Sequence, residues 1–170
     1  MNYHKIEKLS VANGTGIRVV LWVSGCTCYC RGCHNPETWS FNSGTIFDDD
    51  AKEELFEALN QSYIQGITFS GGHPLEEKNR PSIFNLMLEI KSKFPHKDIW
   101  LYTGYDLTIE DFVDGTDAKR SILSMCDVVV DGKFIEEQKD LTLKWRGSKN
   151  QRVIDVKKSI QENNIVLYCD

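Results

Sequence analysis

Four of the six cysteines fall within the eight residues Cys26-Thr27-Cys28-Tyr29-Cys30-Arg31-Gly32-Cys33. Spaced as C-x3-C-x2-C, the thiolates of Cys26, Cys30 and Cys33 can wrap one face of a cubane cluster. Soft thiolate ligands favour iron–sulfur clusters, zinc or cuprous copper. Three ligands instead of four leave one iron open, and an open position is what chemistry needs. Cys28 adds a fourth thiol, which can stand in for Cys26 or Cys30 or complete a four-cysteine zinc set. Such zinc sites use two C-x2-C-like pairs some distance apart. Only Cys30 and Cys33 make such a pair here, so the spacing favours iron–sulfur over zinc. A tight cysteine cluster in a reducing compartment also reads as a metal site before it reads as a disulfide framework.

A loop of this kind must be held by a rigid element. Residues 19–23 (Val-Val-Leu-Trp-Val) form a continuous apolar run after the glycine-rich turn Asn13-Gly14-Thr15-Gly16, the pattern of a strand buried on both faces. Ser24-Gly25 then leads into the cysteines, so the loop leaves the carboxyl end of that strand, where ligands of α/β sheets bind. Residues 66–70, 98–102 and 127–131 read as further strands. Helical patterns alternate with them. Over 48–60, Ala51, Leu55, Ala58 and Leu59 share one face, and Asp48, Asp49 and Asp50 suit the positive end of a helix dipole. Over 81–94, Ile83, Leu86, Met87, Ile90 and Phe94 form a core stripe, with Pro81 in the first turn. A third helix is expected over 118–126, with Ile122 and Leu123 inward and Cys126 in the core.

Strand–helix alternation with short connections argues for parallel βα units. At 170 residues and 41% hydrophobic, the chain suits one domain and is too short for an eight-stranded barrel of roughly 250 residues. The expected fold is therefore α/β, a truncated or partial α/β barrel with a mainly parallel sheet. The formal charge of −5 comes without a long basic tract, so nucleic acid is not an expected partner. No apolar run of about 18 residues exists, which argues against a membrane span. The first residues lack the layout of a signal peptide, so a cytoplasmic location is expected.

The order of motifs carries a resemblance. C-x3-C-x2-C after the first strand, followed by Ser70-Gly71-Gly72-His73-Pro74 after the second, resembles the radical S-adenosylmethionine (SAM) superfamily. Asn13-Gly14-Thr15-Gly16 with Arg18, Gly32-Cys33-His34-Asn35-Pro36-Glu37-Thr38-Trp39 and Asp131-Gly132-Lys133-Phe134 are similar to glycyl-radical-enzyme activases. Residues 98–105 and 145–152 look like those of the activases that serve anaerobic ribonucleoside-triphosphate reductases. The resemblance covers residues 1–152, read as a radical SAM activase domain. Residues 153–170 form a C-terminal extension without a match.

The resemblance implies a 4Fe–4S cluster on Cys26, Cys30 and Cys33, with SAM chelating the fourth iron. It implies a flavodoxin-type electron donor and, as partner, the large glycyl-radical subunit of the reductase. Gly71 and Gly72 would let backbone approach the methionyl amino group of SAM. His34 would lie near the adenine, beside Gly32 and Asn35. Asp131, Gly132 and Lys133 would sit near the ribose and methionyl groups, with Thr103 and Gly104 in the equivalent place after the third strand. His73 is a departure, because the family usually has Asp or Glu there. A neutral histidine can accept a bond from the SAM ammonium, whereas a protonated one cannot.

Overall fold

The computed structural model describes residues 1–113 and 117–169. Within them one sheet contains β1 (Asn2–Ser10), β2 (Ile17–Val23), β3 (Thr45–Ile46), β4 (Ile64–Gly71), β5 (Asp98–Tyr102), β6 (Val128–Asp131) and β7 (Arg152–Asp155). Their order is β3-β1-β2-β4-β5-β6-β7. The four central strands β2, β4, β5 and β6 run parallel. Antiparallel strands flank them: β1 and β3 on one side, β7 on the other. The sheet stays open, as a partial α/β barrel requires, and its parallel centre matches the four strands read from the sequence.

Four helices pack against it: α1 (Asp49–Leu59), α2 (Arg80–Lys93), α3 (Ala118–Met125) and α4 (Val156–Glu162). Asp48 caps α1 by accepting the Ala51 N–H at 3.0 Å, so the acidic triplet is a helix start. Alternation along β2 divides the core in two. Val19, Leu21 and Val23 face the helices with Leu55, Ile83, Met87, Ile90, Ile122 and Leu123. Cys126 belongs to that core, and its thiol donates to the Ile122 carbonyl at 3.3 Å. On the other side Trp100, Val128, Val130 and Val153 form a smaller cluster with Tyr102, Trp145 and Cys169. No helix among the described residues is long and apolar enough to cross a membrane.

Arg18 enters the sheet from β2 with its side chain fully buried. It donates to the Thr68 hydroxyl at 2.9 Å and to the carbonyls of Ile67 and Thr15 at 2.8 and 3.2 Å. It pairs with Asp98 at 2.5 Å, and its guanidinium lies 5.2 Å from the Trp100 ring centroid. The glycine-rich turn closes over it. A Cβ at Gly14 (φ +131°) would stand 2.8 Å from Arg18 Cδ and 2.9 Å from Trp100. That turn therefore covers the Arg18 guanidinium, while its partner Asp98 stays partly exposed.

β7 starts at Arg152, the last residue of the 1–152 domain, and runs into the segment read as an extension, which also holds α4. β7 pairs with β6 from Asp131↔Arg152 to Val128↔Asp155, and Asp155 caps α4 by accepting the Lys158 N–H at 3.0 Å. Asp170, the last residue of that segment, lies outside the described residues.

Candidate active site

The cysteine loop is a closed excursion from the end of β2. Gly25 N–H donates to the Thr38 carbonyl at 2.7 Å and Cys26 N–H to the Trp39 carbonyl at 3.0 Å, which tie its two ends. Inside it Cys33 N–H bonds the Cys30 carbonyl at 3.1 Å. Tyr29 and Gly32 take positive φ, +46° and +71°, and reverse the chain so that the thiols can face one side. The Asn35 N–H reaches Cys33 Sγ at 3.4 Å.

The end of β4 docks directly on the root of this loop. Gly72 N–H donates to the Val23 carbonyl and His73 N–H to the Gly25 carbonyl, each at 2.8 Å. The approach leaves no room for side chains. A Cβ at Gly71 (φ +100°) would sit 2.7 Å from Val23 backbone, and one at Gly72 would sit 2.7 Å from the Gly25 carbonyl oxygen. The glycine pair is thus needed for contact between two strand ends, beyond any ligand. Gly72→Ala is expected to lower unfolding free energy by about 1–3 kcal/mol through overpacking, measured by urea denaturation.

Glu76 locks the two loops together. Its Oε1 accepts from both the N–H and the hydroxyl of Thr27, at 2.7 Å each, and stands 3.3 Å from His73 Nδ1. His73 Nε2 hydrogen-bonds with the Thr103 hydroxyl at 2.7 Å, and Tyr105 packs against the imidazole with centroids 4.4 Å apart. Asn79 donates to the carbonyls of Ser24 and His73 at 2.9 and 3.1 Å. Burial pulls the His73 pKa down despite the Glu76 charge, which favours a neutral ring. Burial alone would raise the Glu76 carboxyl, but the two Thr27 bonds together with His73 outweigh it and hold it below its ordinary value. Glu76→Ala is expected to cost about 1–3 kcal/mol, because the Thr27 N–H loses a charged acceptor, and Glu76→Gln to recover part of it. Thermal denaturation of the three proteins checks this.

These loops enclose a cavity of about 650 Å³ at the carboxyl ends of the parallel strands. Cys26, Cys28, Cys30 and Cys33 line it, and all six cysteines of the chain are free thiols. A bond from Cys28 lowers the Cys26 thiol to about 7, so Cys26 is a thiolate at little cost, the form in which cysteine binds metals. Cys28 moves in the opposite direction, chiefly because it donates that bond, and burial raises Cys30. Among the described residues, one group of three metal-type ligands has its donor atoms within 4.8 Å of one another: Cys26, Cys28 and His73. Cys30 and Cys33 lie outside that group but line the same cavity.

Residues 12–154 match the model of the 4Fe-4S single cluster domain family. Three curated relatives are each called anaerobic ribonucleoside-triphosphate reductase-activating protein. The Vibrio cholerae protein is 42% identical over 89% of this chain and 96% of its own length. The bacteriophage T4 protein is 44% identical over 90% of this chain and 93% of its own. The Escherichia coli K12 protein is 43% identical over 90% and 97%. The chain belongs to this family of activating proteins.

Within that family's frame, the residues singled out from sequence divide into two groups. His34, Asn35, Gly71, Gly72, His73, Thr103, Gly104 and Gly132 line the same cavity as the cysteines. His34 is exposed and meets Phe134 edge-to-face at 5.5 Å. Gly32, Asp131 and Lys133 stand outside the lining. Gly32 packs near Glu136, where a Cβ would come within 2.8 Å of its carboxylate. Asp131 is buried and engaged: Arg152 pairs with it, and Leu107 N–H donates to its Oδ2 at 3.0 Å. Lys133 is exposed, with its carbonyl accepting from Asn150 at 2.7 Å.

Sequence reading passed over Thr27, Glu76 and Asn79. A signal for Glu76 existed, since it follows His73 by three residues in the same loop. The cavity also extends over the second face of the sheet, to Trp22, Tyr102, Trp145 and Arg146. Trp145 adopts φ +59° and stacks edge-on to Trp100 at 5.2 Å, while its carbonyl accepts from the Tyr102 hydroxyl at 2.7 Å.

Proposed function

We propose that this chain reductively cleaves SAM at a 4Fe–4S cluster on Cys26, Cys30 and Cys33 and so installs a glycyl radical on an anaerobic ribonucleoside-triphosphate reductase. The observation that carries the reading is the opening of three thiols and the Gly71-Gly72 strand end into one cavity, in a chain of this family. When bound, the cluster supplies the electron that splits SAM into methionine and a 5′-deoxyadenosyl radical, which takes a hydrogen atom from a glycine of the partner. A flavodoxin-type protein is the electron donor, and the large glycyl-radical subunit is the partner. The work belongs in the reducing cytoplasm.

The protein's part is to bind, orient and shield. Gly71 and Gly72 present backbone to the methionyl end of SAM. His73, neutral and with both ring nitrogens engaged by Glu76 and Thr103, lines the cavity and fixes the loop that presents this backbone. In this reading Glu76 places behind the imidazole the carboxylate charge that the radical SAM resemblance would put at position 73. His34 and Asn35 border the adenine, with Gly32 allowing the turn that places them. Gly132 and Lys133 close the ribose side. Asp131 acts at one remove, because Arg152 and Leu107 occupy its oxygens and it thereby fixes the loop that carries Gly132.

The test is anaerobic reconstitution with iron and sulfide, reduction, and addition of SAM. The expected result is a SAM-dependent change in the electron paramagnetic resonance (EPR) spectrum of the reduced cluster, together with release of 5′-deoxyadenosine. An intact cluster whose spectrum ignores SAM would contradict the reading.

A further inference from the structure

The cavity offers a second metal arrangement that shares one residue with the cluster ligands. Cys26 Sγ, Cys28 Sγ and a ring nitrogen of His73 lie within 4.8 Å of one another, with Cys28 Sγ 3.9 Å from His73 Nδ1. A zinc ion binds thiolate sulfur at about 2.3 Å and imidazole nitrogen at about 2.0–2.1 Å, so its tetrahedral ligand atoms stand roughly 3.5–4 Å apart. The trio is already close to that spacing. Neither Cys30 nor Cys33 belongs to it.

The surroundings support a built site. Gly104 makes room for Cys28, because a Cβ there would fall 2.5 Å from its sulfur. The Thr103 hydroxyl holds His73 Nε2 at 2.7 Å, the outer hydrogen bond that orients a metal-binding histidine, while Nδ1 faces both Cys28 Sγ at 3.9 Å and Glu76 Oε1 at 3.3 Å and would exchange the Glu76 contact for the ion. Cys26 and His73 are buried, while Cys28 is half-buried at the cavity wall. Three protein ligands beside an open cavity leave the fourth position to water.

We propose that the cluster-free chain binds a single zinc ion through Cys26, Cys28 and His73, and that this ion blocks cluster assembly by occupying Cys26. Binding forms two Zn–S bonds and one Zn–N bond; whichever thiol protons remain pass to solvent, and His73 keeps its single proton on Nε2 toward Thr103. No redox change is involved. The binding half goes beyond the SAM reading and does not depend on it; the blocking half rests on the cluster assignment to Cys26, Cys30 and Cys33.

The test uses the full chain, stripped of iron under anaerobic conditions. Zinc is titrated against a chromophoric chelator, and cobalt serves as an optical reporter of thiolate ligation. One ion per chain is expected, with affinity reduced at least about tenfold in Cys28→Ser. Cys30→Ser and Cys33→Ser are expected to keep wild-type zinc affinity. Undiminished binding by Cys28→Ser, or an equal loss in Cys30→Ser, would overturn the site. For the blocking half, equimolar zinc is added before iron and sulfide. Cluster formation is expected to fail in the wild type and to proceed in Cys28→Ser. Equal suppression in both, or in neither, would overturn it, while the zinc titration still reports on the site itself.

Discussion

Alanine at Cys26, Cys30 or Cys33 is expected to reduce glycyl-radical formation to background, while Cys28→Ser still assembles a cluster. A 4Fe–4S centre with one open iron has three protein ligands, and the C-x3-C-x2-C spacing is lost if Cys28 stands in for Cys26 or Cys30. Removing a thiolate leaves a second iron without a protein donor, and the centre is lost or converted. Cys28 is the informative comparison, because it lines the same cavity and lies nearest Cys26. Iron analysis separates the two classes, with roughly four irons per chain in the wild type. Cys28→Ser should retain that iron, and each ligand variant should lose most of it. If Cys28→Ser loses iron while Cys30→Ala keeps it, the cluster sits on Cys26, Cys28 and Cys33, and the assignment fails.

The second large effect lies in the sheet. Arg18→Met is expected to destabilise the fold by about 2–4 kcal/mol, chiefly because buried acceptors lose their donor at about 1–3 kcal/mol each, with Asp98 left partly solvated. Methionine replaces the apolar stem but leaves the Asp98 carboxylate without its cation and the Thr68 and Ile67 oxygens without their donor. Lysine should not rescue, because one ammonium cannot reproduce a planar fork that serves four acceptors. The pair variant Arg18→Met/Asp98→Asn should recover part of the loss, since the uncompensated charge is gone. Urea denaturation of the four proteins tests this. A loss below about 1 kcal/mol, the range of an exposed pair, would contradict the burial argument.

What was legible in the sequence follows from what repeats or clusters in it. The run Val19-Val-Leu-Trp-Val23 announces a buried strand because both of its faces are covered. The stripes Ala51/Leu55/Ala58/Leu59 and Ile83/Leu86/Met87/Ile90 announce α1 and α2 because each buries one side. The cysteine spacing announces a soft-metal loop, and position after a strand announces the cavity end. Edge strands are different. β1 is mostly half-buried and polar, and β3 is two exposed residues, so neither carries a period-two signal. β7 is four residues long, too short to register as a pattern.

The site was legible in its residues and not in their aims. Asp131 and Lys133 stand two apart at the end of a strand, and nothing in the chain says that Arg152 turns Asp131 away from the cavity. That pairing forms only when β7 docks on β6, which is a tertiary event. Gly71 and Gly72 were readable as a place needing bare backbone, but the partner at hand is the Val23–Gly25 backbone. The His73 departure gains meaning from Glu76. Only the folded loop reveals a carboxylate 3.3 Å from its Nδ1.

The most direct test of the central claim is EPR of the partner after turnover. Reconstituted protein is incubated anaerobically with SAM, a low-potential reductant and an anaerobic ribonucleoside-triphosphate reductase, then frozen. The expected result is a glycyl-radical signal that requires SAM and disappears in Cys30→Ala. A chain with an intact cluster and bound SAM that yields no such signal would contradict it.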